Sequence, residues 1–172
     1  MRPELELIFR RRSVRRYAEK EVAGDLVRAL LEAAMAAPSA CCKDPWEFIV
    51  VRDADTRKAI AEALPNGKML AQAPVGIIVC GDLRRANAGE LSYLLQDCSA
   101  AIENLLLAAQ ALGLGGCWLG IHPRAERVAH IRSLFSLPEP IVPVSAIALG
   151  WPAENPPPRT RYTHACVHEG RW

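Results

Sequence analysis

No apolar run in this chain is long enough to span a bilayer, so no membrane segment is expected. The six cysteines (Cys41, Cys42, Cys80, Cys98, Cys117, Cys166) lack C-x-x-C spacing, and no secretory signal opens the sequence. A reduced, cytoplasmic setting is therefore expected in place of a disulfide scaffold. Net charge is scarce too. At +2 over 172 residues it argues against a surface built to bind polyanions at large. Internal repeats and low-complexity runs are missing, which sets aside solenoids and arrays. No G-x-G-x-x-G opens a helix, so the Rossmann cradle is excluded as well.

What is present is a chain with 51% apolar residues, enough for one domain over residues 1–172 that buries roughly 70% of its unfolded surface. Its centre is Leu91 to Gly120. Leu91, Leu94, Leu95, Cys98, Ala101, Ile102, Leu105, Leu106, Ala109 and Leu112 recur at helical spacing and make one continuous apolar stripe. The opposite side is nearly as apolar, with Glu103, Asn104 and Gln110 the only polar residues between Ser99 and Leu112. A helix apolar almost all round needs cover almost all round, so a second copy of the chain is expected to supply part of it. Glycine takes the left-handed conformation cheaply, so the helix should stop at Gly113. Gly115 to Gly120 then reads as a short buried strand whose glycines would let a flat ligand lie on the backbone. On this stretch alone, a core helix followed by a glycine-rich turn is the simpler account.

Around that centre, helices are expected over Pro3–Arg10, Ala23–Ala37, Ala54–Leu64 and Arg124–Phe135. Strands are expected over Trp46–Val51, Val75–Cys80 and Pro143–Trp151. Pro65-Asn66-Gly67 is a turn, Lys68-Met69-Leu70 leads into the second strand, and a proline-rich tail occupies about 155–172. Alternating helices and wholly apolar strands point to an α+β or α/β domain.

Charge is unevenly placed. Arg2, Arg10, Arg11, Arg12, Arg15 and Arg16 crowd the start, while Arg159 and Arg161 follow the stiff Pro156-Pro157-Pro158 near the end. Arg11, Arg12 and Ser13 with Arg159 and Arg161 would suit a terminal phosphate; a solvated charge run is the plainer alternative. Nucleic acid ranks lower, because no aromatic platform accompanies the charges. The loop from Ala37 to Phe48, fixed by Pro38 and Pro45, can present hydroxyl and backbone donors, or can simply join a helix to a strand.

The order of these pieces resembles the nitroreductase family of FMN-dependent oxidoreductases. The residues that carry it are Arg11-Arg12-Ser13-Val14-Arg15, Ala37-Pro38-Ser39 with Pro45-Trp46-Glu47-Phe48, Lys68 to Pro74, Gln96 to Ala101, Gly113 to Gly120, and Ala148 to Pro152 running into Pro158-Arg159-Thr160-Arg161. The resemblance implies an α+β sandwich with a central, mainly antiparallel sheet flanked by helices. It also implies a homodimer built on the long central helices, with FMN at the interface. By the same resemblance, Arg11, Ser13, Arg159 and Arg161 would hold the phosphate and ribityl chain, with Arg12 adding a phosphate or backbone contact. Arg15 and Lys68 would sit at the pyrimidine edge. Pro38 and Ser39 would come from the partner subunit, and the backbone at Trp118, Leu119, Gly120 and Ile121 would lie beside the ring near N5.

The implied chemistry is hydride transfer from NADH or NADPH to a small electrophilic acceptor by ping-pong turnover. Arg15 and the Gly120 backbone are the catalytic groups, and no side-chain acid or base is required. A flavin-binding store or sensor of the same fold is the alternative. Two positions depart from the family's usual Asn and Gln, namely Cys42 and Asp44. Cys42 reads as a small filler, a replaced ligand contact or a redox-sensitive thiol, the filler being the simplest. No metal is expected: His164, Cys166 and His168 would share one side of a strand, too tight an arc for a tetrahedral site. With little chain between Asp82 and Leu91 or around His122 to build a lid, the substrate pocket should be open.

Overall fold

The computed structural model describes residues 2–172. Four strands, β1 (Trp46–Val51), β2 (Val75–Asp82), β3 (Gly115–Gly120) and β4 (Ile141–Gly150), pair antiparallel in the order β1-β2-β4-β3. The helices are α1 (Glu6–Arg10), α2 (Gly24–Met35), α3 (Ala54–Ala63), α4 (Met69–Gln72), α5 (Leu91–Ala111) and α6 (Ala125–Phe135). β2 is buried at every residue, because helices cover both faces of the sheet; its unbroken apolar run reflects that double cover. α2 and α5 pack on one face with Trp46, Ile77, Val79, Ile147 and Leu149. The other face carries α3, α4 and α6 with Ile78, Cys80, Cys117, Leu119, Ala146 and Ala148. The fold is the α+β sandwich expected from the sequence.

α5 holds this arrangement together. Leu94, Cys98, Ala101, Ile102, Leu105, Leu106 and Ala109 are buried in the core, and Asn104 Nδ2 donates to the carbonyl of Ala33 on α2 at 3.2 Å. The chain's own α2 therefore covers a good part of the flank opposite the sheet. Leu91, Tyr93 and Leu112 stay exposed. The helix ends where glycine allows it to, with Gly113 at φ +75.

Several expectations shift. The first helix divides into a 3-10 turn at Pro3–Leu5 and α1, and Leu5 and Ile8 are exposed, so they form no buried face. α2 ends at Met35, two residues short of Ala37, since proline at 38 disfavours helical backbone in the residue before it. The lead-in to β2 is itself the short α4. β4 tolerates Pro143 because the register shifts there, between Val79 and Cys80 of β2. His164–Cys166 is a single 3-10 turn, so the expected one-sided His-Cys-His strand does not form. Among the described residues, no group of three His, Cys, Asp or Glu could hold a metal, and no helix is long and apolar enough to cross a membrane.

Candidate active site

The two ends of the chain meet along the arginine segment. Ala18 N donates to Trp151 O at 2.9 Å and Ala153 N to Arg16 O at 2.9 Å. Glu154 Oε1 accepts from Arg15 N at 2.5 Å and from Arg16 N at 3.3 Å. The Arg12 guanidinium donates to Pro157 O, and Arg159 N donates to Phe9 O at 3.1 Å. Backbone bonds and one carboxylate thus strap the proline-rich tail alongside Phe9 to Ala18. Arg159 is carried to the segment that bears Arg11, Arg12 and Ser13, Arg161 follows two residues on, and both remain exposed. The Arg11 guanidinium meets Glu103 of α5 at 3.1 Å.

The same segment runs beside the sheet. Ser13 bridges Gly116 in parallel, and Val14 N donates to Gly116 O at 3.0 Å. β3 is an edge strand, with β4 on one side and only this short pairing on the other. The carbonyl of Gly116 points away from β4, so the two-residue repeat of a strand turns the N–H and C=O of Trp118 and Gly120 the same way. Past Val14 that free edge forms the wall of a cleft of about 660 Å³, lined by Arg15, Leu64, Pro65, Asn66, Lys68, Met69, Cys117, Trp118, Leu119, Gly120 and Arg127. Its size is that of a cofactor or ligand site. Three cations line it, and no carboxylate does.

Five of the residues singled out from the sequence therefore share one space: Arg15, Lys68, Trp118, Leu119 and Gly120. Arg127 was not among them. Its Nη1 donates to Gly120 O at 2.8 Å, while its Nε is buried without a partner. α6 carries Arg127 and Arg132, with Arg124 at its N-cap, and nothing in the sequence marks which one turns toward β3. Glu154 was missed for a similar reason, its partners being backbone groups far away in sequence. Burial pushes the Cys117 thiol up, with Arg15 and Ser13 working against it. Burial also pushes the Tyr17 phenol up; its hydroxyl donates to Val14 O at 2.6 Å and lies 3.1 Å from Ala148 O, fixing the segment next to the cleft.

The glycines of β3 divide their roles, against the expectation that all of them accommodate a flat ligand. A Cβ on Gly115 would lie 2.7 Å from Val14 Cγ2, and one on Gly116 2.8 Å from Leu106 Cδ2. Both are needed for packing. A Cβ on Gly120 would meet nothing nearer than His122 O at 3.9 Å, so only this glycine opens onto the cleft.

Pro38 and Ser39 do not line this cleft. They begin a loop braced by Asp44, whose Oδ1 accepts from Ser39 Oγ at 2.5 Å and whose N–H donates to Ser39 Oγ at 3.0 Å. A carboxylate thus does the bracing, at one of the two positions that depart from the resemblance. Asp97 of α5, buried, ties the start of the same loop to the core by accepting from Ala40 N at 2.8 Å. Cys42 fills no gap: its side chain is exposed.

The profile described as the nitroreductase family matches residues 8–66 and 63–151. A candidate NADH dehydrogenase/NAD(P)H nitroreductase of Methanothermobacter thermautotrophicus is 46% identical over 168 residues, covering 98% of this chain and 87% of that protein. The crystal structure of a similarly named protein from Bacteroides thetaiotaomicron is 40% identical, with TM-score 0.93 over 100% of this chain and 99% of that one. A candidate nitroreductase from Desulfovibrio desulfuricans, solved in complex with FMN, is 33% identical, with TM-score 0.85 over 100% and 99% of the two chains. The chain belongs to the nitroreductase family.

Proposed function

We propose that this protein is an FMN-dependent oxidoreductase that takes hydride from NADH or NADPH and passes it to a small electrophile such as a nitroaromatic, quinone or enone. The observation that carries this reading is the cleft at the free edge of β3, where Arg15, Lys68 and Arg127 meet the open backbone of Gly120. The named activities of the relatives and the FMN held by one structural neighbour support it. The residues fit the group: the cleft has the volume, the charge is of the sign that an anionic ring edge needs, and Gly120 leaves the strand bare.

FMN, when bound, supplies two-electron exchange, which no side chain in the cleft offers. Arg15 and Lys68 would supply fixed positive charge to the ring, favouring its electron-rich form. The Gly120 N–H, on the outer edge of β3, would orient the ring, and Arg127 holds the carbonyl of the same residue in place. Arg11, Arg12, Ser13, Arg159 and Arg161 would hold the phosphate and ribityl chain, Arg11 being paired with Glu103 in the free chain. Nicotinamide and acceptor use the one open space in turn, which makes turnover ping-pong.

Two copies complete the site. Pro38 and Ser39 lie outside their own protomer's cleft and serve the partner's, while Leu91, Tyr93 and Leu112 on α5 supply apolar surface for the pairing. A cytoplasmic setting suits six unpaired cysteines. The test is anaerobic stopped-flow reduction by NADH and by NADPH, followed by a panel of acceptors. A yellow protein bleached by nicotinamide and reoxidised by the acceptor is expected. A colourless protein that refuses added FMN overturns the flavin site, and a bound flavin that is not bleached indicates a store or sensor. Sedimentation as a folded monomer would remove the homodimer.

A further inference from the structure

The cleft at the free edge of β3 holds more positive charge than a flavin ring accounts for. Arg15, Lys68 and Arg127 line it, and among the described residues none of them forms an ion pair. Elsewhere Arg10, Arg11, Arg52, Arg84 and Arg85 each meet a carboxylate. Glu126, one residue before Arg127 on α6, is exposed and does not pair with it, and Glu62 lines only an adjoining hollow with Lys58 and Lys68. Cations left unpaired in a concave wall focus their field and draw anions. A reduced ring carries one negative charge at most, which Arg15 and Lys68 already answer. Arg127 is left over.

Its place sets it apart from the other two. Arg15 follows Ser13, which bridges Gly116, whereas Arg127 Nη1 is bound to Gly120 O, farther along β3 by about 13 Å at the rise of a strand. That bond fixes the guanidinium and uses one of its N–H groups; Nε is buried, and the remaining Nη donors are left for what enters the cleft. We propose that Arg127 is a specificity-determining residue that docks an anionic group of the acceptor, so that the preferred electrophiles are aromatic or unsaturated carboxylates. The proposal rests on the flavin reading and narrows it. A planar guanidinium matches a carboxylate, and a substituent on a small acceptor lies directly beside its reacting group. A phosphate of the nicotinamide donor offers similar chemistry, but a ribose separates it from the reacting ring. Arg127 is tied to the very residue whose N–H would orient the flavin, which favours the acceptor.

The experiment reduces the flavin of the full-length holoprotein with stoichiometric dithionite, without air, and follows reoxidation by 4-nitrobenzoate and by its neutral isostere 4-nitrobenzamide. In both, the nitro group takes a hydride and a proton and becomes nitroso, with loss of water; the other substituent takes no part. An amide withdraws electrons more strongly than a carboxylate, so the chemistry alone favours the amide. Wild type is expected to favour the carboxylate. Arg127→Gln should lower the carboxylate-to-amide ratio of second-order rates about tenfold, the scale of one hydrogen bond to a charged group, and Arg127→Lys should keep most of it. Both acceptors meet the same variant flavin, so a general loss of flavin or of fold cancels in the ratio. Titration of the oxidised holoprotein with benzoate and benzamide, read as a change in flavin absorbance, should show the same preference without turnover, and salt should weaken it. A ratio that Arg127→Gln leaves unmoved overturns the proposal. So does a change confined to the NADH or NADPH dependence, which assigns the cation to the donor's phosphate. A protein that takes no FMN, or whose reduced flavin neither acceptor reoxidises, overturns the flavin reading and the proposal with it, an outcome distinct from an unmoved ratio on a working flavin.

Discussion

The two ends of β3 carry the same residue for opposite reasons. At Gly115 and Gly116 the strand is pressed against Val14 and Leu106, and glycine is there because no side chain fits. At Gly120, five residues on, the neighbouring atoms have withdrawn and glycine leaves a space. One end is closed by the segment from Ser13 to Val14; the other is open because that segment turns away into Arg15. The comparison teaches that a glycine in a sequence does not say whether it makes room for the protein or for a ligand.

Gly115→Ala breaks the closed end. Overpacking against a stiff β-branched Val14 should cost about 2 kcal/mol, a fall of roughly 4–8 °C in Tm by thermal denaturation. Arg15→Ala, at the open end, should keep its flavin but slow reduction about tenfold, ~1.4 kcal/mol, in stopped-flow traces; an unchanged rate removes the assignment of this cation. Gly120→Ala should leave stability within about 0.5 kcal/mol while weakening FMN binding in a fluorescence titration, the reverse of Gly115→Ala. Should it instead unfold the protein, the two ends are alike and the contrast fails.

Arg127→Gln removes the charge but keeps a donor for Gly120 O, so a change of only a few-fold in reduction rate is expected, on the scale of one hydrogen bond. Smallest is Asp82→Asn, a stability control away from the cleft. Hydrogen bonds from the Arg84 side chain hold the Asp82 carboxyl below its ordinary value, despite burial. That stabilisation is fully present above the unfolded carboxylate pKa, ~3.9, and is lost as pH falls through the lower native value. Denaturation at pH 7 should therefore show the variant weaker, the gap should narrow as pH falls below the unfolded carboxylate value, and the reduction rate should not move.

Much of the fold was legible because its signals are local or periodic. β1 and β3 begin and end where the residue pattern puts them, and α5 stops at the glycine that can turn left-handed. What was not legible depends on groups that approach through space. Arg127 reaches Gly120 from a helix that carries Arg132 as well and is capped by Arg124, and the carboxylate of Glu154 serves backbone N–H groups roughly 140 positions earlier. Neither distance leaves a periodic trace. Cys42 shows the same limit: as a small residue it read as filler, and only the structure puts it in a left-handed turn with its side chain exposed.

Residue order and apolar spacing by themselves determined that helices would cover a sheet of buried strands, because burial of apolar surface depends on periodicities that the chain carries locally. They also put arginines near both ends. Only the tertiary structure decided that those ends lie side by side, that three cations and no carboxylate share one cleft, and which glycine of β3 faces it. Such choices are made by contacts between segments distant in sequence, and a linear pattern holds no record of which side of an edge strand the rest of the chain leaves free.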